Sequence, residues 1–200
     1  YLGGDGPTHQ PIEHLTSLRI IPNMRVLRPS DPEEAVECWK MALERTDGPT
    51  CLVLSRQALT TEPKADTDWR TSLRATGAYI LRKEADAHDV TILATGSEVG
   101  LATALAEELT GELGVRVVSV ASRELLSAAA PEKRAAVFGD DVPVVVVEAG
   151  SRCGWEQFTG GEADRILSID RFGESGRGEE VAEHLGLTVE NLRRIVEKSR

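Results

Sequence analysis

The stretch DVTILATGSEVGLATALAEELTGELGVRVVSV at residues 89–120 alternates between two kinds of hydrophobic pattern. Short apolar runs at 89–97 and 115–120 are rich in valine and isoleucine, which is typical of buried strands. Between them, residues 98–113 place leucines and alanines at helical spacing, so this part predicts an amphipathic helix. A strand, a helix and a second strand form a βαβ unit, whose strands are parallel. The stretch therefore predicts an α/β fold.

The second half of the chain continues this alternation. Further strands are predicted at 77–82, 143–150 and 165–170, and a final helix is predicted at 188–200. Thr188 begins that helix, because its hydroxyl can accept a hydrogen bond from a backbone N–H three residues later. We expect a mostly parallel sheet with helices on both faces, which is a three-layer α/β arrangement.

The first half contains a shorter version of the same pattern, beginning with a strand at 24–29. Residues 30–49 predict a helix in which Asp31 caps the N-terminus. The apolar run at 50–55 follows, and its length is typical of a buried parallel strand. The helix is expected to bury one apolar stripe, formed by Ala35, Cys38, Trp39, Ala42 and Leu43.

The character of the sequence changes between the two halves. Residues 56–76 are polar, lack a clear period and contain Pro63. Such a composition is typical of a linker between domains, and Trp69 is expected to pack on the surface of one of them. The sequence thus predicts two units, with the linker placed at 61–76.

The composition argues against several classes of function. The chain has 33 acidic and 23 basic residues and a net charge of −10, which argues against a nucleic-acid or anionic-membrane surface. Its three cysteines are widely spaced and indicate neither a disulfide framework nor a zinc site. No apolar run approaches the roughly 20 residues of a membrane span. We therefore expect a cytoplasmic protein, in which a local basic site could still bind a phosphorylated metabolite.

The most informative candidate site lies in the first ten residues, YLGGDGPTHQ. We expect a loop there, because its three glycines permit positive φ and Pro7 forms a corner. Asp5 and His9 flank this corner, and both side chains can exchange protons or form hydrogen bonds. Arg56 follows the second strand of the first half, where its guanidinium can bind a phosphate or carboxylate in a bidentate manner. The alternative is a frayed terminus and a surface arginine.

Three other positions allow a functional and a structural interpretation. Ser97 lies in a strand–turn–helix stretch that could bind phosphate, but the stretch lacks a phosphate-loop pattern, and Ser97 is expected to cap the following helix. Glu148 ends a buried strand, where open α/β sheets place ligands, or it binds backbone N–H groups of a neighbouring loop. Glu174 and Ser175 lie in a glycine-rich loop and could cap a helix that starts near residue 179.

Five motifs follow one another along the chain. GDGPTHQPIEHLTSLRIIPNMRVLRPSD occupies 4–31, and DGPTCLVLSRQ occupies 47–57. ATGSEV at 94–99, VEAG at 147–150 and FGES at 172–175 come next. In sequence and in order these motifs closely resemble the transketolases, a family of thiamine-diphosphate enzymes. Related enzymes such as deoxyxylulose-phosphate synthase carry a different run after the threonine and histidine of the first motif. The resemblance covers essentially the whole chain.

The resemblance implies a domain organisation. Transketolases have a diphosphate-binding domain, a pyrimidine-binding domain and a C-terminal domain, and this chain is similar to the last part of such a protein. Residues 1–60 would be the end of the pyrimidine-binding domain, with a partial parallel sheet. Residues 61–76 would be the linker, and residues 77–200 would form a complete three-layer C-terminal domain with a mostly parallel sheet. The chain is therefore expected to be a fragment of the enzyme.

The resemblance also implies roles for three side chains. Asp5 matches the aspartate that contacts a substrate hydroxyl beside the carbonyl and helps to select its stereochemistry. His9 matches the catalytic histidine that hydrogen-bonds the donor ketose near the bond that breaks. Arg56 matches the arginine that binds the sugar phosphate. Gly4 departs from the family, which usually has an acid before the aspartate. No cofactor-binding or metal-binding residue of the family falls within this chain.

The activity implied for the complete enzyme is transfer of a two-carbon ketol unit from a ketose phosphate to an aldose phosphate, in the pentose phosphate pathway. It would use thiamine diphosphate and a divalent metal, Mg²⁺ or Ca²⁺, and would act as a homodimer. Neither cofactor is expected to bind this chain alone, so the isolated chain is expected to be inactive. Two alternatives are a structural and assembly module, and one subunit of a split transketolase whose partner chain carries the missing N-terminal domains.

Overall fold

The computed structural model describes residues 3–85 and 87–200, so the first two residues of the predicted loop at 1–10 lie outside the described part. After short 3-10 turns at Gly3–His9, the elements of the first half are α1 (His14–Arg19), β1 (Arg25–Leu27), α2 (Pro32–Glu44) and β2 (Thr50–Leu52). β1 and β2 pair in parallel as a two-stranded sheet. β2 is parallel as predicted, but it is only half-buried, because within the described residues this small sheet pairs it on one side alone.

The second half forms a five-stranded sheet flanked by helices. Its strands are β3 (Ala78–Arg82), β4 (Val90–Ala94), β5 (Val115–Val120), β6 (Val144–Glu148) and β7 (Ile166–Ser168). The strand order is β3-β5-β4-β6-β7, and neighbours are parallel except for β3, which runs antiparallel to β5. The helices are α3 (Trp69–Thr76), α4 (Val99–Glu108), α5 (Arg123–Ala128), α6 (Pro131–Phe138), α7 (Gly178–His184) and α8 (Val189–Lys198).

Apolar side chains pack on both faces of this sheet, because successive residues of a strand point to opposite sides. Ile92 of β4 joins the cluster that contains Leu105 of α4 and Leu192 of α8. Its neighbour Leu93 joins the opposite cluster, which contains Leu126 of α5. The predicted α/β fold, with a mostly parallel sheet between helices, is therefore confirmed.

Two of the predicted helix caps are confirmed, and the other predicted caps are wrong. Asp31 accepts a hydrogen bond from Glu34 N at 2.9 Å, and Thr188 accepts one from Asn191 N at 3.2 Å. Ser97 lies inside a 3-10 turn that separates β4 from α4, so its hydroxyl donates to the Glu98 carboxylate instead of capping the helix. Helix α7 begins at Gly178, and Arg177 occupies its N-cap position. The predicted caps at 174 and 175 lie too far before the helix to cap it.

The predicted linker at 61–76 contains regular structure in its second part. Residues 69–76 form helix α3, which ends at Gly77 in the left-handed conformation. Trp69 packs against the second unit and is buried there, with its ring 4.9 Å from the ring of Tyr79 on β3. Polar residues obscured the short apolar face of this helix, and its burial depends on a strand that follows it in sequence. The irregular part of the connection is therefore shorter than predicted.

Helix α2 buries a face that overlaps the predicted apolar stripe at Cys38 but leaves two large apolar residues of that stripe exposed. Trp39 is 52% exposed and Leu43 is 76% exposed, whereas Glu34 is fully buried. The Glu34 carboxylate accepts hydrogen bonds from Tyr79 Oη at 2.7 Å and from Ser119 Oγ at 2.5 Å. Because these partners lie on β3 and β5, the polar contacts with the second half determine how α2 is rotated.

The cysteines and the helices also bear on the class of protein. The cysteines are free thiols; Cys38 is buried, as expected of a small apolar side chain, whereas Cys51 is half-buried and Cys153 is exposed. In the part of the chain that the structure describes, the helices are too short and too polar to cross a membrane.

Candidate functional site

The loop that carries the predicted acid and imidazole consists of 3-10 turns that are interrupted at Gly6. Gly6 has φ of +69° and ψ of −162°, a conformation essentially restricted to glycine. Beyond this break, Thr8 Oγ1 donates to the carbonyl oxygen of Asp5 at 3.1 Å and lies 2.9 Å from His9 Nδ1. One hydroxyl group therefore links the backbone of Asp5 to the ring of His9.

The two contacts of Thr8 determine which ring nitrogen of His9 carries a proton. The hydroxyl has one hydrogen, which it donates to Asp5, so it can only accept from the ring. Nδ1 is therefore the protonated nitrogen, and Nε2 of a neutral ring is the acceptor. A substrate hydroxyl at Nε2 could transfer a proton to it. Thr8 was not predicted from the sequence, although its position between the two predicted residues was a usable signal.

A cavity of about 410 Å³ lies between the two halves of the chain. His9 and Arg56 line it from the first half, and apolar residues of α7, namely Val181 and Ala182, line it from the second. Asp5 belongs to the same turns as His9 but does not line this cavity. All three predicted side chains are exposed. The fold thus brings two of them to one space and leaves Asp5 outside it.

Glu148 takes part in neither of the predicted roles, because it is fully buried among charged groups. Its Oε2 accepts a hydrogen bond from Arg19 Nη1 at 2.8 Å and another from the indole N–H of Trp155. Arg28 Nη1 donates to Glu98 Oε2 at 2.5 Å and lies 3.7 Å from Glu148 Oε1. We call Arg19, Arg28, Glu98 and Glu148 the buried charge cluster.

The buried charge cluster joins the two halves of the chain. Arg19 ends α1 and Arg28 follows β1, whereas Glu98 precedes α4 and Glu148 ends β6. Glu98 also accepts a hydrogen bond from Ala149 N at 3.0 Å. Of these four residues, only Glu148 was singled out from the sequence. Its partners carried only a weak signal, namely single charges beside apolar strands, since nothing in the sequence indicates which of them meet.

The electrostatics of the cluster favour the charged forms of Glu148 and Arg28. Burial raises the pKa of Glu148, but the guanidinium groups of Arg19 and Arg28 and two hydrogen bonds outweigh it, so the pKa lies below its ordinary value of 4.5. Burial lowers the pKa of Arg28, but the carboxylates of Glu98 and Glu148 outweigh it, so the net shift is upward. The halves are therefore held together by ion pairs in a buried setting.

Stability is expected to depend on the ionisation of Glu148. Because its pKa is lower in the folded state than in the unfolded state, its contribution is present above about pH 5 and is lost as pH falls through the folded-state pKa. The difference in unfolding free energy between wild type and Glu148→Gln should therefore shrink on acidification. Urea unfolding across a pH series measures this difference. Glu183→Gln, at an exposed position on α7, is the control, and a difference for Glu148→Gln that does not vary with pH contradicts the prediction.

The grouping of potential metal ligands bears on the implied divalent metal. Within 3–85 and 87–200, no three histidine, cysteine, aspartate or glutamate side chains are grouped so that they could hold a metal ion. These described residues therefore offer no grouped side chains for the divalent metal that the family resemblance implies for a complete enzyme. The chemistry assigned to this chain rests on its own side chains.

Comparison with known proteins agrees with the motifs. The sequence family described as the transketolase pyrimidine-binding domain matches residues 1–62, and the transketolase-like C-terminal domain matches residues 77–188. The transketolase of Treponema pallidum is 44% identical over 196 residues, which cover 98% of this chain and 29% of that protein.

Solved structures give the same result. A transketolase of Pichia stipitis, solved in complex with sedoheptulose 7-phosphate, has a TM-score of 0.87 and 34% identity and covers 99% of this chain and 28% of its own. A split-gene transketolase, solved as an inactive β4 tetramer, has a TM-score of 0.68 and 25% identity and covers 98% and 64%. This chain spans less than a third of the length of the curated relatives it matches. Since the C-terminal family alone matches more than half of the chain, the chain belongs to the transketolase family.

Proposed function

We propose that this chain supplies the substrate-binding wall of a transketolase active site. The complete enzyme would transfer a two-carbon ketol unit from a ketose phosphate to an aldose phosphate, as part of the pentose phosphate pathway in the cytoplasm. The observation that supports this proposal best is that His9 and Arg56 line one cavity. The cavity is therefore lined by an imidazole, which is suited to proton transfer, and by a guanidinium, which is suited to phosphate binding.

Each side chain would act at a different part of the sugar phosphate. When the carbon–carbon bond of the donor ketose breaks, the hydroxyl-bearing carbon becomes a carbonyl and its hydroxyl must lose a proton. His9 Nε2 would accept this proton, since Nδ1 donates to Thr8. Asp5 would accept a hydrogen bond from a hydroxyl beside the carbonyl and select its stereochemistry. Arg56 would bind the phosphate group.

The domain assignment belongs to the same proposal. Residues 1–60 would be the end of the pyrimidine-binding domain, 61–76 a connection and 77–200 the C-terminal domain. Thiamine diphosphate and Mg²⁺ or Ca²⁺ would bind to residues outside this chain and supply the electron sink for the reaction. The purified chain alone is then expected to show no turnover of xylulose 5-phosphate and ribose 5-phosphate, even with both cofactors present.

The source of the remaining residues defines a second candidate, a split transketolase. The likeness to a split-gene transketolase favours this candidate. The match covers 64% of that chain, but only 28% of the Pichia stipitis transketolase chain. The reading frame immediately upstream discriminates the possibilities. A continuous frame indicates one long chain that would form a homodimer, whereas a separate frame for the cofactor-binding half indicates a partner subunit. Absence of both would favour a structural and assembly module.

Replacing Arg56 with alanine tests the proposed function. A charge-assisted hydrogen bond contributes about 1.5–3 kcal/mol, so KM for a phosphorylated ketose should rise roughly 10–100-fold in the complete enzyme. KM for an unphosphorylated ketose should change little, because Arg56 has no group to bind there. Arg177→Ala, at an exposed arginine that precedes α7, is the control. An equal effect on both kinds of sugar would contradict the assignment.

A further inference from the structure

The FGES segment at 172–175 lies directly against the loop that carries Asp5 and His9. A methyl group on Gly6 would overlap the hydroxyl of Ser175, so the backbone of the loop and this side chain are in close contact. On the other side of His9, Gln10 Nε2 donates to the carbonyl oxygen of Glu174 at 3.2 Å. The loop is thus held both before and after the imidazole.

The glycine at 173 allows the loop and the FGES segment to approach each other closely. A Cβ atom at Gly173 would lie 2.6 Å from Gln10 Cδ and would overlap the oxygen of its amide. The absence of a side chain at 173 therefore allows the amide of Gln10 to reach the segment. By contrast, a Cβ atom on Gly4, in the same loop, would meet no atom within 4 Å.

A second segment of the C-terminal half, residues 150–151, binds the backbone at Ile12, just after the loop. Ser151 N donates to the carbonyl oxygen of Ile12 at 3.1 Å. Gly150, its neighbour, accepts from Ile169 N at 3.1 Å, which ties this segment to the end of β7. The two segments follow β6 and β7, so both extend from the carboxyl edge of the rigid sheet.

We propose that the segment at 172–175 is a positioning element, which holds the loop so that His9 and Asp5 are presented to the substrate. The proposal rests on the proposed function and extends it to the C-terminal half of the chain. Two hydrogen bonds within the loop are local: Thr8 Oγ1 donates to the carbonyl oxygen of Asp5, and Gln10 N donates to that of Pro7 at 3.3 Å. The contacts with 173–175 connect the loop to the segment that follows β7, and thereby to the five-stranded sheet.

Gly173→Ala and Ser175→Val test the proposal, with Gly4→Ala and Phe172→Ala as controls. Phe172 is 77% exposed, so its truncation changes the segment without changing the contact. In the 200-residue chain, both test variants should speed amide exchange at 6–12 by about tenfold or more and should shift the His9 ring ¹⁵N resonances. Exchange in β4 and β5 should stay unchanged, which shows that the sheet is folded, and both controls should resemble wild type.

The complete enzyme provides the second arm of the experiment. There, Gly173→Ala should lower kcat roughly 10–100-fold while KM for xylulose 5-phosphate changes far less, since Arg56 stays in place. Unchanged exchange and unchanged His9 resonances in both test variants would overturn the proposal, and so would a loosened loop with normal kcat. If wild type shows no ketol transfer, the proposed function fails, and the exchange and resonance data still decide whether the segment positions the loop.

Discussion

Replacing Arg28 with methionine is expected to lower the free energy of unfolding by about 3–5 kcal/mol. Methionine fills a similar volume but removes the charge that faces Glu98 and Glu148. Both carboxylates remain buried, and Glu98 loses the arginine that donates to it at 2.5 Å. A buried carboxylate without its ion-pair partner costs much more than the loss of one hydrogen bond. Urea unfolding at neutral pH measures the loss.

Arg25→Met is the matched control, because Arg25 begins β1, the strand that Arg28 follows, but is only partly buried. Burial and the charge of Arg45 lower the pKa of Arg25, so the surroundings stabilise its charge little. Replacing Arg25 should therefore change the free energy of unfolding by less than about 1 kcal/mol. Adding Glu98→Gln to Arg28→Met should recover part of the loss, as a coupling of about 0.5–3 kcal/mol. Equal losses for the two arginines would contradict the assigned role of the cluster.

Replacing His9 with alanine is expected to lower kcat of the complete enzyme by about 10²–10⁴-fold. The proton of the substrate hydroxyl then has no acceptor at the position of Nε2. KM for the sugar phosphate should change much less, because the phosphate is assigned to Arg56. Steady-state kinetics with varied ketose phosphate separate these effects.

His184→Ala is the control, since His184 is exposed on α7 and lies outside the cavity lining. Thr8→Val is a more conservative probe, because it keeps the ring and removes the hydroxyl that holds Nδ1. It should give a smaller loss of kcat than His9→Ala. If His9→Ala raised KM and left kcat unchanged, His9 would bind substrate without transferring a proton.

Most of the fold could be predicted because its signals are local. The apolar run of β5 and the caps at Asp31 and Thr188 depend on residues a few positions apart, and all are present in the structure. Helix α3 was missed because its burial depends on β3. The apolar stripe of α2 matches the buried face only at Cys38, since the helix is rotated so that Glu34 binds hydroxyl groups on β3 and β5.

The candidate site likewise has parts that could be predicted from the sequence and parts that depend on tertiary contacts. Asp5, His9 and Arg56 were named from the sequence because their motifs are contiguous, and their roles stay predictions. The cavity shared by His9 and Arg56 could not be predicted, and neither could the contact of Gly6 with Ser175. Each joins residues far apart in the chain, and a pattern of spacing carries no information on such pairs.

By itself, then, the sequence determined the family, the alternation of strands and helices and the identity of the chemical groups. These properties depend on residue type and on short-range periodicity, which can be read directly from the chain. Only the tertiary structure decided which charges meet in the buried charge cluster, which face of α2 is buried and which segment holds the His9 loop. Burial makes a charge or a hydroxyl bind whatever partner the fold brings within reach, and that partner is determined by the packing of the whole chain.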